Sequence, residues 1–123
     1  MCQWKWQLFD DIDSRIYNWH NQTLAHVKMT PKEAVDISRM IIDRLNLSTG
    51  PVEVIIPTQG LRSMTKKGDE LYAPDTDKAI FDTFDAYTRK DIPIKYFNAN
   101  FCDIEFSEFA ANEMLNLIEA ANS

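Results

Sequence analysis

A chain of 123 residues, 45% hydrophobic and 11% aromatic, has room for one domain with one modest core and is too apolar to be a disordered segment. Its formal net charge of -6 argues against a nucleic-acid backbone or an anionic membrane as main partner, since both need a basic face. No apolar run approaches a membrane span, the start Met1 to Trp6 lacks the apolar core of a secretory signal, and two cysteines are too few for a disulfide framework or a zinc cluster, so a reducing cytoplasm is the expected compartment.

Residues 1–21 are dense in aromatics (Trp4, Trp6, Phe9, Tyr17, Trp19) and have no clean period. Large rings are costly to leave in water, so this arm is expected to lie on its own domain or to reach a partner. Residues 22–123 are expected to form the α/β domain. Residues 23–29 alternate loosely between apolar and polar and read as a half-buried strand. Thr30-Pro31-Lys32-Glu33 then predicts a helix start: the Thr30 hydroxyl accepts from the Glu33 N–H, Glu33 reaches back, and Pro31 fits the first helical position. Ala34, Ile37, Ile41, Ile42 and Leu45 make an apolar stripe, and Gly50 is the expected stop.

Residues 52–57 form a short β-branched run bracketed by Pro51 and Pro57, the mark of a buried strand. It ends in the polar turn Thr58-Gln59-Gly60, which opens a long loop over 58–74; loops of more than about twelve residues are often functional. Pro74 to Asp77 predicts a second helix with acids at its positive end and an apolar face of Ile80, Phe81, Phe84 and Tyr87. Residues 92–98 read as a third strand, and Asp103 as the cap of a last helix carrying Phe106, Ala110, Met114, Leu117 and Ala121 along one side.

The alternation of strand and helix predicts an α/β chain: a small three-layer, Rossmann-like domain with a mainly parallel sheet and right-handed crossovers. The carboxyl ends of the three strands would then share one edge, where α/β proteins hold ligands. That edge would collect Lys28, Thr30, Thr58, Gln59, Gly60, Ser63, Asn100 and Asp103, with the starts of the first and third helices opening onto it. Free backbone N–H groups and the charge of Lys28 suit a small anionic ligand such as a carboxylate or phosphate. Other chemistry is thinly marked. Cys102 beside a helix start could pair with His20 or His26 as a nucleophile, although most lone cysteines in small domains only pack. Asp10, Asp11 and Asp13 lack the full loop of a cation site, and Lys66-Lys67-Gly68 lacks the Gly-Lys-Ser/Thr of a nucleotide loop. No metal site is predicted, and the residues leave any cofactor open.

Taken in order, His20-Asn21, Lys28-Met29-Thr30-Pro31 with Glu33, Gly50-Pro51, Pro57 with Gly60 and Ser63, Gly68, Pro74 to Asp77, and Asn100-Phe101-Cys102-Asp103 with Phe106 form a pattern. It resembles the C-terminal part of the uncharacterised protein family that includes the tomato mosaic virus resistance protein Tm-one, over about residues 15–121. Lys28 stands where that family has an arginine, and Asn100 and Cys102 where it has a histidine and an asparagine. The resemblance implies the last segment of a second α/β domain in a longer protein whose N-terminal domain binds nucleotide. It names no activity; the chain is read as the C-terminal α/β piece of a ligand-binding protein, the alternatives being half of a hydrolase or lyase whose site is shared with the rest, or an assembly module. The expected partners are a second copy of the chain or a separately encoded N-terminal part.

Overall fold

The computed structural model describes residues 1–123. Its regular elements are β1 (Cys2–Trp4), a 3-10 turn (Ile12–Ser14), β2 (Tyr17–Trp19), β3 (Leu24–Val27), α1 (Pro31–Leu45), β4 (Val54–Pro57), α2 (Pro74–Tyr87), β5 (Ile94–Phe97) and α3 (Ile104–Ala121). No helix is long and apolar enough to cross a membrane.

The chain is mixed α/β, with strands in two sheets rather than one. β3 lies between β1 and β2, antiparallel to both, with Cys2 opposite His26 and Tyr17 opposite Val27. β4 and β5 form a separate parallel pair in the register Val54 to Ile94. The expectation that residues 23–29 join the parallel sheet is therefore corrected. The physical reason is competition for hydrogen bonds: two short strands from the aromatic arm occupy both edges of β3, leaving it no free edge for β4.

The parallel pair carries helices on both faces. Ile56 packs with Ile42 of α1 and Phe84 of α2 in the central core, joined by Leu45, Val54, Ile80, Phe81 and Ile94. Side chains alternate along β5 as a strand requires. Tyr96 turns to α2, where its hydroxyl donates to Asp85 at 2.7 Å, whereas Phe97 turns to α3 and stacks on Phe109 at 4.5 Å between ring centroids. Lys95, on the same face as Phe97, pairs with Glu53 and Glu113. Along α3 only Phe106 is buried; Met114, Leu115 and Ile118 stay exposed, so the predicted apolar side is only partly covered.

The predicted capping box at Thr30 and Glu33 is present in full, with both of its hydrogen bonds and Pro31 at the first helical position. Glu33 also takes a two-pronged bond from the Arg15 guanidinium at 2.9 and 2.9 Å, which ties the arm to α1. The helix ends at Leu45, before the expected stop at Gly50. Past that end, Arg89 holds the departing chain by donating to the carbonyls of Asn46 and Ser48 at 2.7 and 3.0 Å. Asp103 stands at the start of α3, but its side chain makes no bond to that helix.

Candidate functional site

The carboxyl ends of β4 and β5 are knitted together by their turns. The Thr58 N–H donates to Phe97 O and the Gln59 N–H to Ala99 O, both at 2.9 Å, and the Phe101 N–H donates to Gly60 O at 3.0 Å. Gly60 has φ +110, and a Cβ there would sit 2.6 Å from Thr65 Oγ1 and 2.9 Å from Thr65 O. Only glycine lets the chain turn this tightly against Thr65. Asn100 fastens the same corner. It is fully buried, its Nδ2 donates to Gln59 O at 3.0 Å and Arg62 O at 2.7 Å, and its Oδ1 accepts from the Cys102 N–H at 3.0 Å. Next to it, Asp103 accepts from the Asn100 N–H at 2.8 Å and from Lys66 Nζ at 2.7 Å. Those two donors, Lys66 first, hold the Asp103 carboxyl below the ordinary range.

Beside this corner opens a cavity of about 290 Å³. Its walls are Thr58, Gln59 and Gly60 after β4, Thr65, Lys67 and Tyr72 of the long loop, and Pro74, Asp77, Lys78 and Phe81 from the first two turns of α2. The lining is mostly polar. Lys78 is paired with Asp82, and Asp77 with Lys28, whereas Lys67 is in no ion pair. The cavity thus presents one uncommitted cation close to the start of a helix.

Of the residues expected at the site, Thr58, Gln59 and Gly60 line this cavity. Asn100 lies behind it as a buried brace, and Asp103 behind Asn100 in a pair with Lys66. Ser63 is exposed on the loop outside the cavity lining. Thr30 is occupied in capping α1. Lys28 Nζ donates to Asp77 Oδ1 at 2.9 Å, with both side chains only 11% exposed. Its charge is spent on that carboxylate. Among helix starts, it is α2 that lines the cavity; Thr30 and Pro31 at the start of α1 border a separate hollow of about 120 Å³. Thr65, Tyr72, Asp77, Lys78 and Phe81 were not legible as cavity residues. The one available signal was Pro74 opening a helix directly after the long loop.

The remaining candidates are placed elsewhere. His20 and His26 lie against each other with ring centroids 4.7 Å apart, at and beside the antiparallel sheet. Burial, then Arg62 and His20, push the His26 imidazole below its usual range. Cys102 is an exposed free thiol in the turn before α3. Asp11 pairs with Arg15 at 2.8 Å, and no group of three or more His, Cys, Asp or Glu side chains is arranged to hold a metal ion.

These features define a class: a mixed α/β chain whose polar cavity lies at the carboxyl end of a parallel strand pair. The family model described as the Uncharacterised protein family (UPF0261) C-terminal domain matches residues 3–118, and the chain belongs to that family. It is similar to a UPF0261 protein of Clostridium tetani (strain Massachusetts / E88), 30% identical over 101 residues that make up 81% of this chain and 25% of the relative. A UPF0261 protein of Rhizobium meliloti (strain 1021) is 31% identical over 71 residues, covering 58% of this chain and 18% of its own length. One from Brucella suis biovar 1 (strain 1330) is 26% identical over 73 residues, 59% of this chain and 18% of its own. The chain thus spans a quarter or less of the length of these curated relatives.

Proposed function

We propose that this chain is the C-terminal α/β piece of a small-molecule-binding protein with a Rossmann-like arrangement, and that its ligand carries an anionic group. The observation that supports the reading is the cavity at the carboxyl ends of β4 and β5. It combines the Thr58-Gln59-Gly60 turn, the unpaired Lys67 and the first turns of α2 within about 290 Å³. The positive end of a helix and a nearby ammonium favour a carboxylate or phosphate. Lys67, rather than Lys28, is the cation available to it.

The test is a thermal melt with inorganic phosphate, nucleotides and small dicarboxylates in turn. A ligand that binds the folded state raises Tm with its concentration. The expected result is a rise with at least one phosphate or carboxylate that disappears in Lys67→Ala. No rise with any of them, or a rise unchanged in Lys67→Ala, overturns the assignment.

A second reading, assembly, is supported by the arm. Trp4 and Trp6 stack at 5.4 Å, and Trp6 remains 69% exposed. Exposed rings of this size suit a contact between chains.

A further inference from the structure

We infer that the open edge of β4, roofed by α1, is a docking groove for one extended apolar strand, supplied by the part of the family's length that this chain does not span. The groove is a hollow of about 280 Å³, and ten of its twelve lining residues are hydrophobic. Four of them are Val54, Ile55, Ile56 and Pro57, the whole of β4. Successive residues of a strand point to opposite faces of a sheet. A hollow touched by all four therefore runs along the strand's edge, not over one face.

The backbone agrees. The Val54 N–H donates to Pro93 O and the Thr58 N–H to Phe97 O. In a parallel ladder alternate residues bond to the same neighbour, so Ile55 directs its N–H and C=O away from β5, into the hollow. On the α1 side the hollow is walled by Ile37 and Ile41, and Ile41 is 43% exposed. A neighbouring strand would lie about 4.8 Å from β4 and beneath these two side chains.

Nothing in this chain fills the position. β3, the strand that leads into α1, has both edges taken by β1 and β2. A parallel pair of two strands is a fragment of the sheets in which such strands occur, which are covered on both faces. The Clostridium tetani relative is about four times as long as the stretch it shares with this chain, so the family has sequence to supply the missing strand. Because the position is covered by α1 on one face, the incoming strand is a run of β-branched or other apolar residues.

The experiment co-expresses the full chain with the portion of the Clostridium tetani relative that lies outside the shared residues. Association is read by sedimentation, and the Ile55 amide by hydrogen exchange. The expected result is a one-to-one complex in which exchange at Ile55 slows at least about tenfold, as for an amide entering a stable ladder. Ile41→Glu should remove the complex while leaving the helical signal of the chain unchanged, since Ile41 is already part-exposed. Ile55→Pro is the second variant: it deletes the edge donor, which this chain itself does not use, and should weaken association at least about tenfold. No complex, a complex indifferent to both variants, protection that falls on α3 instead of Ile55, or a homodimer closing the groove each overturns the inference.

Discussion

Lys28 Nζ and Asp77 Oδ1 lie 2.9 Å apart and join the end of β3 to the first turn of α2 across 49 residues of sequence. Because both side chains are largely buried, the pair couples the antiparallel sheet to the wall of the polar cavity. Lys28→Met should cost about 3–5 kcal/mol, since it leaves a buried carboxylate without its partner. The double variant Lys28→Met, Asp77→Leu should recover most of that. Urea unfolding measures both, with the exposed pair Lys32–Asp36 as control. A loss no larger than that of Lys32→Ala would show that the two units are not coupled through this contact.

Acid should weaken the attachment of the arm. Arg15, together with the Thr30 N–H, holds the Glu33 carboxyl at about 2, against an ordinary 4.5. The folded state therefore resists protonation that the unfolded chain accepts. The contribution of Glu33 is complete above about 4.5 and disappears as pH falls through about 2. Unfolding free energy followed through this window should slope less in Glu33→Gln than in the parent chain. Identical slopes would remove Glu33 from the account.

Gly60 and Gly68 both have positive φ, +110 and +98, yet only Gly60 is crowded. Gly60→Ala should cost about 1–3 kcal/mol, because strain of the turn adds to a clash with the Thr65 carbonyl. Gly68→Ala has no neighbour within 4 Å and should cost less. Paired thermal melts decide it, and an equal loss at both positions would mean that backbone strain alone matters.

Asn100→Ala should lower stability by about 2–4 kcal/mol, because three hydrogen bonds of a fully buried side chain go and two carbonyls lose a donor. The same variant should quicken amide exchange in residues 59–62. Unchanged exchange there would show that the corner is held by the β4–β5 ladder and not by Asn100.

Self-association through the arm is best tested by substitution. Cutting away residues 1–19 would also strip β1 and β2 from β3. Sedimentation of the intact chain should show a dimer, weakened in the pair Trp6→Ser, Trp19→Ser. A monomer at high concentration for the intact chain refutes the idea, and a dimer that survives the substitutions places the contact elsewhere.

Local chemistry was legible where a signal is complete within a few residues. Thr30 to Glu33 announces α1 because all parts of its cap are adjacent, and Pro74 with Asp75 and Asp77 in the first turn announces α2, although no side chain caps that helix. The strands around residues 54–57 and 94–97 followed from β-branched runs beside proline. Pairing was not legible. β1 and β2 are three residues each, too short to show an alternation, so nothing warned that they would claim both edges of β3. Likewise Lys28 reads as a free cation until the fold brings Asp77 to it, and Asn100 reads as a ligand residue at the strand edge until three backbone groups close around it.

An unpaired strand edge is also a hazard, since it can template stacking of identical chains into fibrils. Along Val54–Pro57 that hazard is contained. Val54 and Ile56 bond to β5, and Pro57 has no N–H, so Ile55 offers the single outward donor. With one donor beside the outward carbonyls of Ile55 and Pro57, the edge can pair with a chosen strand but offers identical chains a poor repeat. The proline that ends β4 thus acts as a gatekeeper, letting the edge accept one specific neighbour while denying it the regular repeat on which aggregation depends.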